Sequence, residues 1–200
     1  MRGKRPGIDT LAMERNSLTR KTIRKGDEMK VRLIEYPGSK EWMEVKRRAL
    51  VTIGKKPVAE PSKEWKRAIL KARHSPIRYL RFSFLIEDLP SWVSVHLCRH
   101  VHAQPYVKSQ RNDRQTEYDR NAARQDAPVD MIWDINAEEL MVIMNKRLCQ
   151  MASDETQEVM YKMRCCVVAV CPEFNEFLVP MCEYTGECKE MNGGCGRWAR

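Results

Sequence analysis

Residues 96–114 read HLCRHVHAQPYVKSQRNDR and hold three His, three Arg and one Lys. A solvated helix face has no need of that density. Guanidinium groups grip phosphate in a bidentate fashion that an ammonium cannot match, so the segment is a candidate site for an anionic ligand. An ordinary basic surface carrying one half-buried His is the alternative. His96, Arg99 and His100 stand at i, i+3 and i+4, which places them on one flank if the helix continues through them. If it ends earlier, His100 and His102 face different ways and no His pair is implied. Cys98 adjoins Arg99 and His100, but nothing marks a third group to orient a Cys–His couple.

The eight cysteines pose the second chemical question. Cys182, Cys188 and Cys195 are spaced C-x5-C-x6-C, and Cys149, Cys165, Cys166 and Cys171 could add thiolates. The compact two-to-four-residue spacing of structural zinc sites is missing, so plain thiols stand beside metal ligation as the reading, and no metal is assigned. Neither GxGxxG nor GxxxxGK occurs. A nucleotide would therefore be held by side chains and helix termini rather than by a glycine-rich turn.

Several elements must position these groups. Val31, Leu33 and Tyr36 alternate as in a strand, ahead of the turn at Pro37-Gly38. A second short apolar run, Leu50 to Ile53, ends at Gly54. Ser62 is placed to cap a short amphipathic helix carrying Trp65, Ile69 and Ala72. Leu80, Phe82, Phe84 and Ile86 form the clearest strand, and Glu87 to Pro90 reads as its turn. Ser91 can cap the helix WVSVHLCRH, with Val93 and Leu97 inward. From Val101 to Ile135 the pattern weakens into a long polar segment. Ala137 to Met151 is helical, with Leu140, Met144 and Leu148 on one face and Arg147 on its flank. Ser153 or Asp154 starts another helix that Pro172 stops. Phe174, Phe177, Leu178 and Met181 suggest one more, and the tail CEYTGECKEMNGGCG is loop-like. The expected class is α+β: a single domain with a small, mainly antiparallel sheet and a predominantly helical C-terminal half.

The chain has 200 residues, enough for one core. Lys and Arg number 36 against 27 Asp and Glu, a net charge of +9, which favours anionic partners. Residues 1–28 supply +4 of it, from eight basic and four acidic side chains, and read as a basic extension preceding a domain over 29–200. The opening residues carry no apolar signal core, and no stretch approaches the roughly 18 apolar residues of a membrane span, so a cytoplasmic protein is expected. A basic nucleic-acid-binding protein fits the charge, but no zinc-finger spacing, RNP-like aromatic pair or helix-turn-helix signature accompanies it.

With these residues assembled, the stretch 29–196 resembles the flavin-dependent thymidylate synthases, also called thymidylate synthase complementing proteins, as a divergent member. His74 stands where the family has a His before a strand. Arg99 and His100 open its Arg-His-Arg motif, Ser109 and Arg111 match the later Ser and Arg, and Arg147 in NKRLC matches the late helical Arg. The chain departs from the motif at Val101, Gln104, Tyr106, Val107 and Asn112. His96 replaces a common Gln, and Arg78 replaces an acid.

The resemblance implies FAD-dependent methylation of dUMP to dTMP, with methylenetetrahydrofolate as one-carbon donor and NADPH as reductant, by a homotetramer with shared sites. It implies His74, Arg99 and His100 for the flavin, and Ser109, Arg111 and Arg147 in the catalytic centre. His96, Gln110, Arg111 and Arg147 would contact the nucleotide. A non-catalytic or altered flavin- or nucleotide-binding homologue is the other reading it allows.

Overall fold

A computed structural model describes residues 29–114, 119–191 and 193–196. The proposed extension 1–28 lies outside them. The strands are β1 (Lys30–Glu35), β2 (Arg81–Pro90), β3 (Ala103–Val107) and β4 (Pro128–Asn136), in the order β1-β2-β4-β3 and antiparallel throughout. The helices are α1 (Ser39–Val51), α2 (Lys63–Lys71), α3 (Ser91–Leu97), α4 (Ala137–Arg147), α5 (Asp154–Val170) and α6 (Met181–Thr185). Short 3-10 turns occupy Ser75–Tyr79 and Pro172–Phe174.

One sheet face is buried under the helices. Phe82, Phe84 and Ile86 of β2 join Val129, Met131, Trp133 and Ile135 of β4, with Leu140, Met144, Val159, Met163 and Phe174 packed in the same cluster. Alternation puts the remaining residues of these strands on the opposite face. The register aligns Arg32, Leu85, Ile132 and Tyr106 across all four strands, and Ile132 and Tyr106 are exposed. Beside that row Ser83 Oγ donates to Asp134 Oδ1 at 2.5 Å.

The helix starts follow local chemistry. Ser62 Oγ accepts from Trp65 N, Asn136 Oδ1 from Glu139 N, and Ser153 Oγ from Thr156 N, each meeting an amide left over at a helix N-terminus. Glu138 and Glu139 sit in the first turn of α4, and Lys146 and Arg147 in its last, as the helix dipole favours.

Several expectations are corrected. Leu50 and Val51 close α1, a helix whose charged face hides its two buried residues, Trp42 and Val45. Glu87 to Pro90 is not a turn: β2 continues to Pro90 past an irregularity between Ile86 and Leu89, where Asp88 takes φ +58°. Ser91 is the first residue of α3 rather than its cap, and its hydroxyl donates to Gln110 Oε1 at 3.2 Å. The polar segment 101–135 contains β3 and β4; β3 is an edge strand, which tolerates Pro105. Phe174 closes the 3-10 turn, Phe177 and Leu178 lie in the turn and bend that follow, and Met181 opens α6, so these residues do not form one helix.

Candidate functional site

α3 ends at Leu97, so His96, Arg99 and His100 do not share a helix flank. The chain turns instead. His100 N donates to Leu97 O, and Ala103 N to His100 O, both at 3.1 Å, fixing His100 at the entrance to β3. Because Ala103 pairs with Ile135 and β4 runs directly into α4, this entrance faces the helix. Glu139, Ile143 and Arg147 recur at spacing four along α4, and helical side chains lean towards the N-terminus, so Arg147 reaches back towards Glu139.

The three groups meet there. Arg147 Nε donates to His100 Nε2 at 3.3 Å, while Glu139 Oε1 lies 3.4 Å from His100 Nδ1. An Nε2 that accepts from a guanidinium leaves the imidazole proton on Nδ1, facing the carboxylate. Burial, then the charges of Arg147 and Lys146, push the His100 pKa down to about 4. His100 is thus a neutral, oriented imidazole, with its ring 6.3 Å from that of Trp133. Arg147 is half-buried, and only its Nε has a protein partner among the described residues.

A second set of contacts fixes the end of α4. Asn145 is fully buried and donates through Nδ2 to Phe177 O at 3.2 Å and Val179 O at 2.6 Å. Arg73 donates to Asn145 Oδ1 and stacks 4.7 Å from the Tyr184 ring. Arg73 adopts φ +47°, and His74 follows it directly, exposed at the start of the 3-10 turn. His74 therefore lies at the same end of the molecule as Arg147.

The later motif residues lie elsewhere. Ser109, Gln110 and Arg111 follow β3 at its far end, which the strand alone sets about 17 Å from His100. Gln110 is held by Ser91, and Arg111 pairs bidentately with Asp113 at 2.8 and 2.6 Å. The side chains of that pair are 59% and 56% exposed, so solvent weakens it. His96 is exposed, its ring edge-on to Trp92 at 5.5 Å. Arg99 is exposed and makes no ion pair among the described residues. One chain therefore gathers His74, Arg99, His100 and Arg147 at one end of β3 and leaves Ser109, Gln110 and Arg111 at the other.

Glu139, Asn145 and Arg73 were not singled out from sequence. The available signal was the spacing of eight between Glu139 and Arg147, two steps of four that put both on one face of α4. Cys98 is no activated nucleophile, since desolvation raises its pKa. Arg78, the predicted replacement of an acid, pairs with Glu138. Among the described residues no helix is long and apolar enough to cross a membrane.

No protein-family model matches the chain, and no curated protein matches it in sequence. Solved structures do match in fold. Thymidylate synthase X from Helicobacter pylori, determined with FAD and dUMP, superposes with a TM-score of 0.60 at 16% identity, covering 76% of this chain and 97% of that one. A second structure of the flavin-dependent enzyme from the same organism, again with FAD and dUMP, gives 0.60 at 15% identity over 74% and 97%. The fold, a single domain with a small antiparallel sheet and a helical C-terminal half, is that of the flavin-dependent thymidylate synthases.

Proposed function

We propose that the chain is a flavin-dependent thymidylate synthase that binds FAD and dUMP. One observation carries this reading: His100 and Arg147, 47 residues apart, meet in a half-buried cationic site, on a fold shared over nearly the whole length of an enzyme solved with FAD and dUMP. The residues present suit such ligands. Arg147 is held through Nε, leaving its terminal nitrogens as a fork for a phosphate or carboxylate-like edge. His74 and Arg99, exposed at the same end, supply further donors for a phosphorylated cofactor.

His74, Arg99 and His100 would hold a flavin that, once reduced by NADPH, would supply reducing equivalents for methylation of dUMP at C5 from methylenetetrahydrofolate. The protein's part is binding and orientation. Arg147 pairs with the nucleotide, and neutral His100 accepts from Arg147 while Glu139 fixes its tautomer. His74, Arg99 and His100 hold the flavin. Ser109, Gln110, Arg111 and His96 complete the nucleotide contacts, and Arg111 exchanges its weak Asp113 partner for an anion.

His74, Arg99, His100 and Arg147 lie at one end of β3 and Ser109, Gln110 and Arg111 at the other, so on this reading a complete site takes one end from each of two copies, as a homotetramer with shared sites provides. The exposed apolar side chains of the open sheet face, Ile132 and Tyr106, are surface that such an assembly can cover.

A second reading, a flavin- or nucleotide-binding homologue without synthase activity, is favoured by the engagement of Arg111 with Asp113 and by the five motif departures from Val101 to Asn112. The test is the visible flavin spectrum of the purified protein, followed by NADPH oxidation with and without dUMP. Bound flavin with dUMP-dependent oxidation supports the synthase. Bound flavin without it, or dUMP binding without flavin, supports the second reading; failure to bind flavin contradicts the synthase, and failure to bind either ligand contradicts both.

A further inference from the structure

The turn that ends α2 is of a kind that favours glycine. Arg73 N donates to Leu70 O at 3.0 Å and His74 N to Ile69 O at 3.2 Å, the pair of bonds that closes a helix through a left-handed residue. That residue is Arg73, at φ +47°, where a Cβ is strained and glycine is the usual occupant. Its Nε is also buried with no hydrogen-bond partner among the described residues. A residue kept for stability alone would show neither penalty.

The side chain has a long-range task instead. Arg73 Nη2 donates to Asn145 Oδ1 of α4, 72 residues on, and the guanidinium carbon lies 4.7 Å from the centre of the Tyr184 ring, a cation–π contact. Asn145 is fixed on its other side, through Nδ2, by Phe177 O and Val179 O. Tyr184 Oη donates to Lys71 O at 3.4 Å, which closes a ring of contacts among α2, α4 and α6.

The helix ends joined in this way carry two parts of the cationic site. His74 follows Arg73 directly, and Arg147 follows Asn145 by two. Two residues turn a helix by about 200°, so Asn145 faces the bracing contacts while Arg147 faces His100. The backbone of His74 is held on both sides, since its N–H is bound to Ile69 and its carbonyl accepts from Ile77 N at 3.1 Å. We propose that Arg73 is a positioning residue, whose bond to Asn145 sets the separation of His74 from Arg147 and so the seat of the flavin beside the nucleotide. The inference rests on the synthase reading, which gives His74 to the flavin and Arg147 to the nucleotide.

The test is titration of FAD into full-length protein, read by the change in the flavin's visible absorption. Arg73→Gly and Arg73→Asn both suit a left-handed backbone and lack the guanidinium. Each should keep a urea midpoint close to that of the wild type and raise the FAD dissociation constant about tenfold. In a His74→Ala background, Arg73→Gly should add less than about twofold, because Arg73 acts through His74. A merely structural residue would weaken binding by the same factor in both backgrounds. That equality overturns the proposal, and so does a urea midpoint that collapses in both Arg73 variants. Wild-type affinity in both variants overturns it too, and leaves the synthase reading standing. Wild-type protein that binds no FAD overturns both.

Discussion

His100 is the residue on which charge and geometry converge. Its folded pKa, about 4, lies below the ordinary 6.5, so between those values the unfolded chain binds more protons than the folded one. Stability is then complete above pH 6.5 and falls as pH drops towards 4. Urea midpoints at neutral pH and at the acid end of that window should fall further for the wild type than for His100→Gln. Equal pH slopes would mean that the imidazole is not held neutral. Arg147→Ala should weaken dUMP binding by about tenfold or more, the scale of a lost charged hydrogen bond, with little loss of stability because Arg147 is only half-buried. Calorimetry on folded, FAD-loaded protein measures it, and unchanged affinity counts against the assigned role. Both residues were legible in sequence from their types and from the resemblance. Glu139 was not, because an acid in the first turn of a helix already has a sufficient explanation in the dipole.

Elements were legible where one local signal decided them. Ser62 and Ser153 cap α2 and α5 as their positions suggest, and Ser62→Ala should cost about 1 kcal/mol in urea unfolding. Long-range pairing was harder to read. β4 does alternate, with Val129, Met131, Trp133 and Ile135 inward, but Asp130 and Asp134 on the open face made it look like loop. The bulged end of β2 and the start of α3 depend on β4 and on Gln110, which no local window contains. The end of α4 is such a case too. Asn145 ties it to Phe177, Val179 and Arg73, so Asn145→Ala strands two buried carbonyls and a guanidinium and should destabilise by about 2–4 kcal/mol. A loss near that of Ser62→Ala would show the network to be slack.

For the whole molecule, the net charge of +9 and the fold class were readable from sequence, and the antiparallel sheet with helices on one face agrees. A site split between the ends of β3 could not be read, since sequence distance hides which end of a strand each motif half occupies. On the proposed function, that split would make assembly part of the chemistry. The direct measurement is dUMP binding to FAD-loaded protein from cells making Arg111→Ala and Arg147→Ala chains together, compared with each variant alone. If one copy supplies Arg111 and another Arg147, each variant alone binds weakly, while the mixed assembly regains some sites of wild-type affinity. If mixed assemblies form but bind no better than the separate variants, the two arginines do not meet across copies and the shared-site account is wrong.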